Sequence, residues 1–231
     1  MSSLYGNGEY LEKYPTWHVE HSPWKASQIL RMIQKHNLSP KTICEVGCGA
    51  GEILKQLQTN MDEDCNFLGY EISPQAFELC EKRSNKKLQF KLKDFTRETD
   101  VFFDLLLFID VIEHVEDYFG FLRNVRTKGS YKIFHVPLDV CSIGVLRRWQ
   151  IGTWSGGHIH HFMKDTALQA LRYTGYEIVD YFYTLEFKEC ESSASPFNKL
   201  LMNLLRNTTF QIHADLSVRL FGGCLLLILA K

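Results

Sequence analysis

The chain has 231 residues, 45% of them hydrophobic and 23% charged, with a formal net charge of −1. That is long enough for one large domain with a full hydrophobic core. Near-neutral charge removes the electrostatic reason to expect nucleic acid or an anionic membrane as a partner. The one basic cluster, Lys82-Arg83 with Lys86-Lys87, falls where a solvated helix end is expected.

After an aromatic-dotted N-terminal stretch, Ile29, Leu30 and Ile33 recur on one face and predict a helix from about Trp24 to His36, ended by Asn37 and Pro40. Thr42–Val46 reads as a first strand and Gly51 to about Gln58 as a helix. Phe67–Ile72 is the second strand. Ser73 as cap and Pro74 at the first helical position then start a helix reaching Arg83. Leu88–Leu92 alternates as a third strand. Phe102–Ile109 is a nearly unbroken apolar run, as expected of a central parallel strand covered on both faces. A helix over Tyr118–Arg126 and a fifth strand over Tyr131–Val136 follow. This alternation predicts a parallel sheet with helices on both faces. The last third breaks the rhythm: a helix over Asp165–Tyr173, a strand over Tyr176–Phe187, two amphipathic stretches at Pro196–Leu205 and Ile212–Leu220, and a final strand at Cys224–Ala230. With no crossover helix between the last two strands, one of them should run antiparallel.

The seven cysteines are scattered without a CxxC pair, which argues for buried thiols in a reducing compartment over a metal knuckle or a disulfide framework. Residues 1–15 lack the apolar core of a signal peptide. The longest apolar runs, Val101–Ile112 and Cys224–Ala230, are too short to span a bilayer. The expected location is the cytoplasm.

Ile43 to Leu54 carries the most information. A short apolar strand holds an acid, Glu45, then breaks into Gly47, Gly49 and Gly51 at alternate positions before helical spacing resumes. Such glycines let a ligand approach the backbone closely. The acid suggests a ligand offering donors or positive charge. Downstream, Glu71 ends the second strand, Lys93-Asp94-Phe95 follows the third, and Phe103-Asp104-Leu105 leads to Asp110-Val111-Ile112-Glu113-His114-Val115 after the fourth.

In this order the motifs resemble those of class I S-adenosylmethionine-dependent methyltransferases of the small-molecule type, over most of the chain from Thr42 onward. The resemblance implies a Rossmann-like seven-stranded, mostly parallel α/β sheet with an antiparallel last strand and helices on both faces. It implies one domain over 1–231: an N-terminal lid and helix (1–40), a core (41–190), a helical insertion (191–222) and the final strand (223–231). It also implies S-adenosylmethionine as cofactor and S-adenosylhomocysteine as product. The turn Gly47-Cys48-Gly49 with Gly51 would pack on the methionine part and Glu45 would sit near its ammonium. Glu71 would accept both ribose hydroxyls and Ile72 would cover the adenine face. Asp94 would take the adenine amino group beside the Phe95 N–H, and the chain at Ile109 and Asp110 would offer carbonyls to the ammonium. A nicotinamide enzyme shares the strand-turn-helix, but its third glycine would fall where Glu52 stands, and no Gly-Lys-Ser/Thr follows for a P-loop.

Sulfonium is already electrophilic, so the protein has to align a nucleophile and, for a protonated acceptor, remove a proton. Nine histidines offer bases. In Gly157-His158-Ile159-His160-His161-Phe162, an extended chain would project His158 and His160 together and His161 opposite. The expected catalytic residues are His160, His158, His114 and Asp139. No metal is expected, for want of an evident third or fourth ligand. His135 is expected in the core, His18 in a segment able to fold over the cofactor, and Phe197, Leu200, Leu201, Leu204 and Leu205 on a face lining an acceptor pocket or a homodimer contact. The expected reaction is methyl transfer to oxygen or nitrogen of a small molecule, against a protein or peptide acceptor or a non-catalytic cofactor-binding subunit.

Overall fold

As far as Pro137 strands alternate with amphipathic helices, except between Leu92 and Phe103, where only a 3-10 turn at Phe95–Arg97 intervenes. The computed structural model describes residues 16–17, 19–151, 157–185 and 196–231, without the side chains of 147–151 and 196–201. In chain order the elements are α1 (Ser22–Lys35), β1 (Thr42–Val46), α2 (Glu52–Asn60), β2 (Asn66–Glu71), α3 (Pro74–Glu81), β3 (Leu88–Leu92), β4 (Phe103–Ile109), α4 (Tyr118–Val125) and β5 (Gly129–Pro137). Then come α5 (Ser142–Ile151), α6 (Lys164–Tyr173), β6 (Ile178–Leu185), α7 (Pro196–Ile212), α8 (Ala214–Phe221) and β7 (Cys224–Ala230). The Ser73 hydroxyl accepts from Ala76 N–H at the start of α3, and the Asp117 carboxylate accepts from Gly120 N–H at the start of α4.

The seven strands form one sheet in the order β3-β2-β1-β4-β5-β7-β6. β3, β2, β1, β4 and β5 run parallel, and β7 enters antiparallel between β5 and β6. Strand order reverses between β1 and β4, where an open α/β sheet leaves a crevice at the carboxyl ends of its strands. Alternation along each strand feeds two cores. Cys44, Leu106, Phe108 and Phe134 point to one face, and Ile43, Leu105, Leu107 and Ile133 to the other. β7 is buried along its whole length, as a strand flanked on both edges and covered on both faces must be. Among the described residues, no helix is long and apolar enough to cross a membrane. The six described cysteines are all buried.

The helical insertion departs from expectation. Pro196–Ile212 is one continuous helix rather than a stretch ending near Leu205, and the break comes at His213, whose Nδ1 accepts from Leu216 N–H to start α8. Thr208 and Thr209 at its polar end bond back to carbonyls of the preceding turn, so the helix continues through them. Leu204 and Leu205 are exposed, while Phe197, Leu200 and Leu201 lie outside the described side chains. α5 was not evident in the sequence, since Val145 and Leu146 stand exposed and give no one-sided apolar stripe. The expected end of the sixth strand at Phe187 lies outside the described residues.

One buried charge stands apart from the crevice. Lys132 on β5 is 3% exposed, its ammonium donating to Gly129 O at 2.6 Å and lying 5.8 Å from the Tyr176 ring. Burial, with Arg126 adding, pushes it down from its ordinary 10.5 to about 8. The folded chain then sheds this proton before the unfolded chain does, so stability should rise as pH climbs from about 8 to about 10.5. Lys132→Met is expected to stabilise the fold by about 1–2 kcal/mol at neutral pH and to flatten that slope; urea melts at pH 7 and 10 measure both.

Candidate functional site

The first turn after β1 is shaped by three left-handed glycines, Gly47, Gly49 and Gly51, at φ 74°, 53° and 76°. Gly47 and Cys48 N–H both donate to Tyr70 O, at 2.8 and 3.1 Å, which ties the turn to β2. A side chain on Gly49 would collide with the Trp17 indole at 2.7 Å, so this indole lies directly on the turn. His18 lies outside the described residues.

Glu71 joins this turn to the next. Its Oε2 accepts from Gly49 N–H at 2.8 Å, and its Oε1 accepts from Ile72 and Ser73 N–H at 2.8 Å each. Burial raises its carboxyl against the pull of these three donors. Three of its roughly four acceptor positions are therefore taken, leaving one on Oε2. Beyond β2, Ile72 is 40% exposed and faces the crevice. Asp94 Oδ1 accepts from Thr96 N–H and Oγ1–H at 2.9 and 2.7 Å, so it caps the following turn while Oδ2 stays outward, 3.7 Å from Arg97. The Phe95 ring is buried against Tyr70.

At the base, Glu45 is 1% exposed and its Oε2 has no hydrogen-bond partner among the described residues. Burial pushes its carboxyl well up, with Lys25 opposing and Glu71 and Asp110 adding. Asp110 has φ 55° and an N–H bonded to His135 O. Its carboxylate is held on both oxygens: Oδ2 accepts from Lys25 Nζ at 2.6 Å and Oδ1 from His135 Nδ1 at 2.9 Å. Burial alone would raise Asp110, but the Lys25 ammonium and the His135 ring hold it well below the usual carboxylate range. His135 sits in the core, its Nε2 2.8 Å from Thr184 Oγ1. Sequence reading missed Lys25. Its signal was a lysine on the apolar face of α1, between buried Ser22 and Ile29 at helical spacing.

The histidine segment is a turn and bend, not an extended chain, and this overturns the expected pairing. His158 and His161 converge, each with Nδ1 on Asp139 Oδ2, at 2.6 and 3.1 Å. A carboxylate can only accept, so both Nδ1 atoms carry protons. Burial raises Asp139, but these two rings outweigh it and hold its carboxyl low. His160 turns away: its Nε2–H is shared between Val115 O and Glu116 O, and it does not border the crevice. His114 donates Nδ1–H to Gly157 O at 3.0 Å, and burial lowers its basicity. Glu113 is fully buried, with neither carboxylate oxygen hydrogen-bonded among the described residues. Burial pushes it well up, with the Asp110 and Asp139 charges adding.

These groups line one continuous cavity of about 1550 Å³. It runs over the glycine turn, Glu71 and Ile72, past Asp110, to Glu113, His114, Asp139 and His158, and reaches Arg206 and Phe221 of the insertion. Gly47, Cys48, Gly49, Asp94, Phe95 and Ile109 also border it, whereas Gly51, His160 and His161 do not. A fully buried acid beneath a glycine turn that no side chain could share fits the cationic methionine end of S-adenosylmethionine. The acid at the end of β2 and the exposed Ile72 fit its nucleoside.

A family model described as a methyltransferase domain matches residues 18–181. Solved structures with the same fold include the magnesium protoporphyrin IX methyltransferase of Synechocystis PCC 6803 with bound S-adenosylhomocysteine, at 12% identity and TM-score 0.61, covering 90% of this chain and 82% of that one. The N-methyltransferase NodS of Bradyrhizobium japonicum WM9 in complex with S-adenosylhomocysteine aligns at 18% identity and TM-score 0.55, covering 89% and 84%. A methyltransferase from Archaeoglobus fulgidus aligns at 19% identity and TM-score 0.57, covering 89% and 94%. No curated protein matches the sequence. Motifs, fold and family model agree: the chain belongs to the class I S-adenosylmethionine-dependent methyltransferases.

Proposed function

We propose that this protein transfers a methyl group from S-adenosylmethionine to oxygen or nitrogen of a small molecule by direct displacement. The observation that carries this reading is the cavity, whose volume of about 1550 Å³ exceeds the roughly 300–1,000 Å³ of an ordinary ligand pocket. It has room for cofactor and acceptor side by side. Glu71, Ile72, Asp94 and the Phe95 N–H would hold the nucleoside, and Glu45 with the Lys25–Asp110 pair would meet the charged methionine end. The bound cofactor supplies a methyl group on a positively charged sulfur. The chain's own residues orient the acceptor opposite that sulfur and shield the pair from water. The acceptor's proton leaves at the far end, where Asp139 and Gly157 O hold the two Nδ1 protons so that Nε2 of His158 and of His114 carry the lone pairs. Arg206 and Phe221 bring the insertion to this end, where it would select the acceptor.

Incubating the protein with S-adenosylmethionine labelled in its methyl group and a fractionated cell extract tests the acceptor class. Label recovered in low-mass products is the expected result. Label recovered only in protein would move the reading to a macromolecular acceptor.

A further inference from the structure

Among the described residues, the lysine and arginine side chains that border the cavity are Lys25, Lys93 and Arg206. Both lysines are neutralised: Lys25 Nζ pairs with Asp110 at 2.6 Å and Lys93 Nζ with Glu98 at 3.0 Å. Arg206 has no acid partner among the described residues. A guanidinium carries N–H donors on every nitrogen, and here Nη2 donates to the Phe221 carbonyl at 3.0 Å. Its Nε is buried and has no hydrogen-bond partner among the described residues. A charge drawn out of water without a counter-charge is costly, so such groups are nearly always paired.

The fold holds this charge in place. The Arg206 carbonyl accepts from Ser217 Oγ at 3.1 Å, which ties its turn of α7 to α8. The guanidinium lies over the left-handed turn between α8 and β7: a Cβ on Gly223, at φ 77°, would stand 3.3 Å from Arg206 Cζ. Burial pushes the neighbouring Cys224 thiol up to about 12, and the Arg206 charge opposes this. Around the guanidinium the cavity wall is apolar, built by Cys141, Ile143, Phe221 and Leu225. Asp139 borders the same cavity, but its carboxylate is committed to the Nδ1 protons of His158 and His161.

We propose that Arg206 binds a carboxylate of the methyl acceptor, which makes the substrate a small molecule with an apolar body and a carboxylate separate from the atom that is methylated. The planar guanidinium matches a carboxylate with parallel N–H···O bonds. One positive charge balances a monoanion. A phosphate dianion would call for a second cation, and Lys25 and Lys93 are already paired. The bound carboxylate is not the methylated group, because it holds no proton at neutral pH and needs no base, whereas the acceptor atom faces histidine Nε2. The proposal rests on the small-molecule reading above and gives that substrate its class.

Butanoate, a carboxylate on a short aliphatic chain, is the probe, and butanamide is its neutral match. In protein saturated with S-adenosylhomocysteine, butanoate is expected to shift the N–H resonance of Arg206 Nε, identified by its loss in Arg206→Lys, while butanamide leaves it in place. Arg206→Gln should weaken butanoate binding by roughly 10–100-fold, the value of hydrogen bonds to a charged group, and Arg206→Lys by less. Inorganic phosphate should bind more weakly than butanoate. S-adenosylhomocysteine affinity should stay within about twofold in both variants, which separates a lost subsite from misfolding. Should Arg206→Gln fail to fold, Arg206→Lys and the ligand comparison on the wild-type protein carry the test. No shift with butanoate, an equal shift with butanamide, tighter binding of phosphate, or butanoate affinity unchanged in Arg206→Gln overturns the proposal. Butanoate binding is read without methyl transfer, so its failure leaves the small-molecule reading standing, whereas label recovered only in protein removes that reading.

Discussion

Gly51→Ala is expected to cost about 3 kcal/mol of folding stability. Two independent penalties add. A residue with a Cβ resists φ 76°, at roughly 1–2 kcal/mol. The new carbon would also lie 2.6 Å from two Phe90 ring atoms and 2.8 Å from Cys80 Cβ, at roughly 1–3 kcal/mol for overpacking. Phe90 cannot swing aside easily, because it packs against the core between α1, α2 and the sheet. Gly47→Ala meets only Val111, at 3.1 Å, a looser contact than at Gly51, and should cost less. Urea unfolding of the two variants checks the order. Equal midpoints for both would mean that the helix start is not held against β3 as described.

Glu71→Ala is expected to act on cofactor and fold together. Removing the remaining acceptor on Oε2 should weaken S-adenosylmethionine binding by roughly 10–100-fold, the value of hydrogen bonds to a charged group. It also strands the N–H groups of Gly49, Ile72 and Ser73, at about 1 kcal/mol each where water cannot replace the carboxylate. Glu71→Gln separates the effects. Its carbonyl can still serve Ile72 and Ser73, while its amide opposes Gly49 N–H and offers no negative charge to ribose. Affinity should fall nearly as far as in the alanine variant, with less loss of stability. Affinity unchanged in both would remove Glu71 from the cofactor site.

How much of this was legible in the sequence depends on the range of the interaction. β1, β3 and β7 have the expected bounds, and the other strands differ at their ends by a few residues, because strand periodicity and turn residues are local signals. The glycine turn was legible for the same reason: three positive-φ positions leave a mark that no other residue type makes. The histidine segment failed where a local rule was extended too far. Alternation pairs His158 with His160 only along an extended chain. Here Ile159 and His160 N–H instead both bond to Glu113 O, which bends the segment and sends His161 to Asp139. The Lys25–Asp110–His135 bridge spans three distant elements, and only the lysine on an apolar helix face hinted at it. Glu113 stood in the stretch after the fourth strand, but its complete burial exists only once the fold surrounds it.

Whether the crevice over the glycine turn binds S-adenosylmethionine is read by calorimetric titration. One equivalent of S-adenosylmethionine or S-adenosylhomocysteine should bind per chain, each displacing the other, with affinity falling in Glu71→Gln. No heat and no competition from either ligand, with a folded protein, would contradict it.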